Sequence, residues 1–366
     1  MLQEKNKKKV LVAMSGGVDS SLAAIMLKKE GYDVSGVTMR LIGDCNNLFS
    51  ESGKYDCQNA IEKSIAFASN VAKVLDIPFA IWDFSNEFNR EIIEYFKEEY
   101  MKGRTPNPCS VCNLKIKFGL FLKKALAEGM DYIATGHYVV NQFDTRETLH
   151  TLKKAKDEKK DQSYFLWQMN QEILSHTLFP LGEFRKEEVR KLAEKYNLEN
   201  HNRKDSQEIC FIPDNDYRSF LKRNVKEVIT GGNFRDTKGT LLGKHGGVPF
   251  YTIGQRKKLG ISLNERKYVV KIDVKRNEVI LGRNDDLYKK CFKVNQINII
   301  SGKSLTFPIN VDVKIRYNCN ISRAAVYETE TDELLVELFH PQRAITPGQI
   351  AAFYQEDVLL GGGVIK

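Results

Sequence analysis

Residues 10–27, VLVAMSGGVDSSLAAIML, pass from a strand-like apolar run through two glycines into a helix-like run. Strand, glycine turn and helix together make a phosphate cradle. Glycines let backbone N–H groups approach an anion closely, and the helix adds its positive N-terminal end. The lysine that holds the β- and γ-phosphates in GxxxxGK[ST] loops is missing. Ala13, Met14, Ser15, Gly16, Gly17, Val18, Asp19 and Ser20 offer backbone and hydroxyls instead, with Ser21 following. Such a cradle suits pyrophosphate as a leaving group, whereas a γ-phosphate clamp would want the lysine. The chemistry it points to is adenylation of an oxygen. The plainer alternative is a glycine turn with Asp19 as helix N-cap.

Adenylation leaves open which nucleophile displaces AMP, and the cysteines answer. GRTPNPCSVCNLKIKFG, residues 103–119, places Cys109 and Cys112 after a Pro-Asn-Pro turn and before a helix. A thiol at a helix N-terminus is expected to have a lowered pKa, and Lys115 and Lys117 add positive charge nearby. KDSQEICFIPD, residues 204–214, sets Cys210 between two apolar residues. The alternative for each cysteine is a small buried hydrophobe, and this is the expectation for Cys45, Cys57, Cys291 and Cys319. Cys109 and Cys112 with two further cysteines would also suit zinc.

These residues need a frame. Residues 9–14 read as a buried strand, 19–30 as a helix and 34–41 as a second strand, which is a β-α-β unit with a parallel sheet. Helical spacing recurs over 59–75, 87–101 and 115–128, with short strands at 79–84 and 132–135. The first two hundred residues therefore predict an open α/β sheet wrapped by helices. Residues 138–155 predict a hairpin, KKAKDEKKDQ after it a solvated loop, and 163–177 and 185–196 further helices. From about residue 237 glycines punctuate short alternating runs such as KYVVKIDV, INVDVKIRY and QIAAFY, the pattern of small antiparallel barrels.

The chain has 366 residues, 42% of them apolar, a net charge of +9 and seven cysteines. Its length predicts two or three domains. Its charge fits a polyanionic partner such as RNA. The odd cysteine count favours reduced, reactive thiols over a disulfide scaffold. The first ten residues lack an apolar signal core, and no apolar run approaches the ~20 residues of a membrane span, so a soluble cytoplasmic chain with no membrane partner is expected.

The loop SGGVDSS resembles that of the PP-loop ATP pyrophosphatases. Together with PNP-x-x-x-CN-x-x-IKFG, ATGHY (134–138), KDQSYFL (160–166), FPLG (179–182), KDSQEICFI and YTIGQRK (251–257), in this order, it makes the chain similar to the tRNA-specific 2-thiouridylases over nearly its whole length. That family thiolates carbon 2 of the wobble uridine in tRNAs for Lys, Glu and Gln. The resemblance implies a PP-loop catalytic domain (1–214), a small central domain (215–283) and a C-terminal antiparallel β-barrel (284–366) that contacts tRNA. It implies that the loop Ala13–Ser20, Met39 and Gly136 hold ATP, with Mg²⁺ expected and Asp19 its candidate ligand. Cys210 would carry a persulfide from a cysteine desulfurase or sulfur-relay protein, and Cys112 would resolve it through a Cys112–Cys210 disulfide. Asn107, Pro108 and Cys109 would surround the flipped target base. Lys160, Asp161, Gln162, Arg316, Tyr317 and Gln349 would touch tRNA, with His137 beside the site. Two residues depart from the family pattern. Cys109 stands where many relatives have aspartate, and Lys258 replaces a glycine, which reads as a tolerated loop change. Cys109, Cys112 and Cys210 are then also a ligand set for a four-iron cluster with one open iron; the persulfide route is favoured because Cys112 and Cys210 alone suffice for disulfide exchange.

Overall fold

The structure is a computed structural model and describes residues 7–43, 57–198 and 209–366. Lys9–Ala13 (β1) is an apolar run with Val10 and Val12 fully buried, as a central parallel strand must be. Val18–Lys29 (α1) returns the chain to Asp33–Arg40 (β2), parallel to β1. Cys57–Val74 (α2) leads to Phe79–Asp83 (β3), and the helical stretch Ser85–Met101 follows. After the cysteine region and its helices come Tyr132–Ala134 (β4), a hairpin of Val140–Asp144 (β5) and Leu149–Lys153 (β6), and the short Thr177–Leu178 (β7). The five-stranded sheet has the order β3-β2-β1-β4-β7, all parallel. Period-two alternation divides its strands between two cores: Val10 and Val12 face α1 on one side, while Leu11 joins the aromatic core on the other.

The middle unit has Gly232–Asp236 (β8), Leu241–His245 (β9), Tyr268–Asp273 (β10) and Glu278–Gly282 (β11), in the order β10-β11-β8-β9. One pairing, β11 with β8, is parallel, where only antiparallel pairing was expected; the long return past Tyr251 and Leu259 permits it. The last unit is antiparallel: Tyr288–Ile299 (β12), Ile309–Lys314 (β13), Ser322–Glu328 (β14), Leu334–Arg343 (β15), Ile350–Gln355 (β16) and Val358–Ile365 (β17). Pairing of β12 with β17 closes it into a six-stranded barrel, and β6 adds the earlier hairpin to the edge of β17.

Three expectations are corrected. Residues 163–177 are not one helix but a 3₁₀ turn, Ser163–Leu166, then Gln171–Ser175 and β7, because Trp167 and Met169 are drawn into the core between them. The lysine-rich segment after the hairpin is not a free solvated loop. Ala155 and Asp161 are buried, Lys154 lies over the Tyr354 ring, and Asp157 accepts a hydrogen bond from the Lys186 backbone. Lys258 is no neutral exchange: its φ of +58° is left-handed, a region that costs a non-glycine residue about 1–2 kcal/mol.

Candidate active site

The glycine loop runs from β1 into α1. Gly17 is the N-cap of α1 and no side chain caps it, so the N–H groups of the first turn face outward. Asp19 sits within that turn and is not the cap. Gly16 has φ +72°, and a Cβ there would stand 2.3 Å from the Ser64 carbonyl oxygen. Gly136 closes the other side: a Cβ on it would reach within 2.8 Å of the Ser20 nitrogen. The backbone is thus laid out as a cradle only glycines permit. Its hydroxyls, however, are used differently from expectation. Ser20 and Ser21 are buried and each donates to the Gly17 carbonyl, at 3.2 and 3.0 Å. They shape the loop, and Ser15 is the exposed hydroxyl. Met14 is buried against Gly36, and its carbonyl accepts from Thr38; Met39 lies half-buried near the end of β2.

A lysine from elsewhere in the chain does reach the loop. Lys186, first residue of the helix Lys186–Lys195, is 7% exposed and places Nζ 2.8 and 2.7 Å from the two Asp19 carboxylate oxygens. Tyr138 Oη donates to the same carboxylate at 2.8 Å. No local pattern flags Lys186, which lies 167 residues from Asp19; a lysine at the N-terminal end of a helix, where the dipole disfavours it, was the available signal.

The thiols are built on the opposite core. Pro108–Cys112 is a five-residue helix whose N-cap, Asn107, accepts from the Ser110 N–H at 3.1 Å. Pro108 is buried, Cys109 faces solvent and Cys112 is buried. The helix then widens into a π-helix, Asn113–Leu120, where Gly119 is needed: a Cβ would stand 2.6 Å from the Leu114 carbonyl oxygen. A second π segment, Asn89–Ile93, packs against the cysteine helix; such segments recur at functional sites. Trp167 Nε1 donates to Ser110 Oγ and Asn113 Nδ2 to the Phe165 carbonyl, bracing the helix from behind.

Cys210 arrives from a distant segment. Its neighbour Phe211 is buried, edge-on against Phe88 and Phe96 and tilted against Phe220, and Ile212 is buried as well, so the chain is pinned on one side of the thiol. Cys210 is exposed, and the charges of Cys112, Cys109 and Lys117 all act on it, so the two cysteine segments come together. Burial raises the pKa of all three thiols, that of Cys210 to about 12, and Lys117 opposes the rise at each. The expected lowering at the helix N-terminus does not occur. The helix has one turn, Cys112 stands at its end, and desolvation of the thiolate outweighs the partial charge there. Cys112 and Cys210 are free thiols. Among the described residues no three His, Cys, Asp or Glu side chains are grouped to hold a metal ion, and no step is derived through a cluster.

The segment Thr135–Tyr138 joins the two halves. Gly136 abuts the loop, Tyr138 holds Asp19, and between them His137 packs against Phe118 and Phe179, with Nδ1 2.8 Å from Thr135 Oγ1. Burial, helped by Lys117, keeps His137 well below its usual pKa and therefore neutral at pH 7.

The expected RNA-contacting residues divide. The Tyr317 ring lies tilted against Phe165 with centroids 4.6 Å apart, so this part of the barrel meets the segment that follows Lys160–Gln162. Arg316 donates to the Arg343 carbonyl and is half-buried, as are Tyr317, Lys160 and Gln162. Gln162 accepts from the Tyr138 N–H. Asp161 is not presented to solvent: 4% exposed, it receives the Ala155 and Ser163 N–H groups and the Ser163 hydroxyl, organising the segment from within. Gln349 spends its amide on the Thr105 and Pro106 carbonyls and so ties the barrel to the chain leading into the cysteine helix. Cys291 is exposed, against expectation; Cys319 packs on the barrel core; Cys45 and the Cys57 side chain lie outside the described residues, as do Lys204–Glu208.

A lysine-less glycine loop at the head of a parallel sheet, with a thiol cleft beside it, defines a nucleotide-binding α/β protein of the PP-loop class. Family profiles match all three units: "tRNA methyl transferase HUP domain" over residues 8–214, "tRNA methyl transferase PRC-barrel domain" over 218–283 and "Aminomethyltransferase beta-barrel domain" over 289–365. The chain is 48% identical over 361 residues to a tRNA-specific 2-thiouridylase of Caldicellulosiruptor saccharolyticus, covering 98% of this chain and 99% of that one. It is 45% identical over 359 residues to that of Clostridium acetobutylicum, with 98% and 99% covered. The chain belongs to the tRNA-specific 2-thiouridylase family.

The cradle makes a direct prediction. Gly136→Ala is expected to push the Ser20–Asp19 backbone out of place and to weaken ATP affinity by at least about tenfold, in line with the ~1–3 kcal/mol of overpacking at a close contact. Calorimetric titration with ATP measures it; wild-type affinity would remove Gly136 from the nucleotide site.

Proposed function

We propose that this chain is an ATP-dependent tRNA-uridine 2-sulfurtransferase, acting on the wobble uridine of tRNAs for Lys, Glu and Gln. The observation that carries this reading is the convergence of thiols from two distant segments on one cleft, joined to the glycine loop through Thr135–Tyr138. A methyl transferase, the word in the profile descriptions, has no use for that pair of features.

The chemistry follows from the groups. A uridine C2 carbonyl is a poor electrophile. Attack of its oxygen on the α-phosphorus of ATP expels pyrophosphate, which the loop and the α1 N-terminus receive, and turns the oxygen into the leaving group of AMP. Mg²⁺ accompanies ATP as substrate; Asp19 is engaged with Lys186 and Tyr138, and the reading gives it the role of holding that lysine at the loop. A sulfur donor of the cysteine desulfurase or relay type loads Cys210 as Cys210–S–SH. The terminal sulfur, as its anion, attacks C2; AMP leaves and Cys210–S–S–C2 remains. Cys112 as thiolate attacks the Cys210 sulfur, forming the Cys112–S–S–Cys210 disulfide and releasing the RNA with sulfur on C2. An external dithiol reductant resets the disulfide. Asn107 and Cys109 lie at the entry where the flipped base would stand. Lys160, Arg316 and Tyr317 form the RNA-facing rim, with Gln162 and His137 behind it, and the barrel carries part of the tRNA surface. The reading places the enzyme in the cytoplasm; no helix among the described residues is long and apolar enough to cross a membrane.

The test is purified protein with ATP, Mg²⁺, cysteine, a desulfurase and unmodified tRNA, followed by mass analysis of digested nucleosides. 2-Thiouridine at the wobble position is expected; ATP consumption without any thiolated nucleoside would reject the reading.

A further inference from the structure

Lys258 sits where its backbone does not suit it. In the segment 251–260 three residues have left-handed φ: Gly254 at +87°, Lys258 at +58° and Gly260 at +85°. Glycine adopts such angles freely, and lysine does not. Neighbours hold the lysine there. Arg218 donates to the Lys258 carbonyl at 2.8 Å, and Tyr251 Oη donates to the next carbonyl, that of Leu259, at 3.2 Å. Backbone strain of this kind persists where the strained residue is used.

The Lys258 side chain is exposed and stands between two cavities. One, of about 610 Å³, is lined by Arg256, Lys258, Arg266 and Lys267; the other, of about 210 Å³, by Arg218, Lys222 and Lys258. The one carboxylate lining either of them is Glu265, and Lys267 engages it at 2.8 Å. The other five cations form no salt bridge among the described residues. Asp216, at the head of the helix Tyr217–Asn224, spends its carboxylate on the Ser219 N–H and hydroxyl. Arg218 and Lys222 stand one turn apart on that helix, with their charges 5.4 Å from the centres of the Tyr251 and Phe250 rings. Phe220 and Leu221 bury the helix's other face. The result is a basic surface on an aromatic floor, its charges unspent.

This surface adjoins the thiols. The helix follows the Cys210 segment, and Phe220 packs on Phe211 with ring centroids 5.5 Å apart. Thr105, in the chain leading to the cysteine helix, donates its hydroxyl to Thr252 Oγ1 at 3.2 Å. On the barrel side a Cβ at Gly254 would stand 2.9 Å from the Ala344 Cβ, and the carbonyl of the neighbouring Arg343 accepts from Arg316. Five cations without carboxylate partners, set between the cysteine segments and the barrel, suit a run of phosphates.

We propose that the segment 251–260 and the helix Tyr217–Asn224 form a second tRNA-binding surface, on which Lys258, with Arg218, Lys222 and Arg256, holds backbone phosphates. It is separate from the rim of Lys160, Arg316 and Tyr317. Phosphate contacts fix an RNA's register without reading its sequence, so this surface adds affinity and not selectivity. The proposal rests on the tRNA substrate read above, but it requires neither ATP nor sulfur transfer.

The experiment is binding of an unmodified tRNA transcript, followed by fluorescence anisotropy from about 50 to about 300 mM KCl without ATP or sulfur donor. Lys258→Gly removes the charge and relieves the backbone, so it does not threaten the fold. It is expected to bind about fivefold more weakly at about 150 mM KCl, and to reduce the slope of log affinity against log salt by about 0.8, the release of one counterion. Lys258→Asn, which tolerates the left-handed backbone and keeps a Cβ, is expected to match it. Lys258→Arg, which keeps the charge, is expected to bind as wild type does. Wild-type affinity and slope in Lys258→Gly overturn the proposal, as does a wild type that binds no tRNA. So does a loss in Lys258→Gly that Lys258→Asn does not share, since loop freedom and not charge would then matter. An acidic sulfur-relay protein is the other macromolecule such charges suit. Unchanged tRNA binding with slower sulfur loading of Cys210 would assign the surface to that protein and overturn the proposal. If tRNA binding falls as expected while wild type makes no 2-thiouridine, the function fails and the surface stands.

Discussion

Cys210→Ser is expected to abolish 2-thiouridine formation, by at least about a thousandfold, as removal of a reacting nucleophile does, while ATP and tRNA together still release pyrophosphate. The serine keeps the shape of a side chain that Phe211 and Ile212 hold in place, so the fold and the RNA surface are expected to survive. What is lost is the atom that carries sulfur. Cys112→Ser is expected to fail differently. Its persulfide can attack once, and the resolving thiol is then absent, so the tRNA stays bound to Cys210 through a disulfide. A denaturing gel should show a tRNA–protein adduct that a dithiol reductant releases. Both variants are measured for pyrophosphate, nucleoside and adduct. Full thiolation by either variant would remove its cysteine from the mechanism. Loss of pyrophosphate release in Cys210→Ser would place that thiol in adenylation instead of transfer.

Lys186→Met is expected to reduce pyrophosphate release about a hundredfold, the usual cost of removing one preorganised donor from a site of developing negative charge. Lys186 brings to the loop the positive charge its own sequence lacks, and Asp19 and Tyr138 hold it there. Binding of tRNA, measured by gel shift, is expected to stay as in wild type, because the residues proposed to face RNA lie on the Lys160–Gln162 segment and the barrel. Unchanged pyrophosphate release in a folded Lys186→Met protein would mean that the backbone cradle alone suffices. Asp19→Asn separates the pair further: it should lower the rate by releasing Lys186, whereas a rise would mean that Asp19 restrains the lysine.

Both predictions show where local sequence suffices and where it does not. The β1–α1 turn, the parallel sheet and the barrel strands were legible because each depends on local chemistry: apolar runs of fixed period, glycines where backbone must approach backbone, a helix after a strand. Cys109, Cys112 and Cys210 stood out for the same reason, as thiols flanked by turn and apolar residues. Their protonation was not legible. A helix N-terminus can be read locally, but the burial that outweighs it comes from a core assembled from several segments, in which Cys112 lies with Phe88, Phe96 and Phe211. Asp161 and Gln349 look like surface polar residues in sequence, yet tertiary hydrogen bonds turn both inward. The charged segment around them reads as solvated because nothing local shows that the barrel and the helix Lys186–Lys195 will cover it.

The sequence by itself determined the loop, the three thiols and the order of the units, since these are properties of neighbours in the chain. Only the tertiary structure decided which lysines serve them. Lys186 reaches Asp19 across 167 residues, and of the two lysines beside the cysteine helix Lys115 is exposed while Lys117 is half-buried. Charge acts through space and not along the chain, so a cation's partner is known only when the fold has placed it.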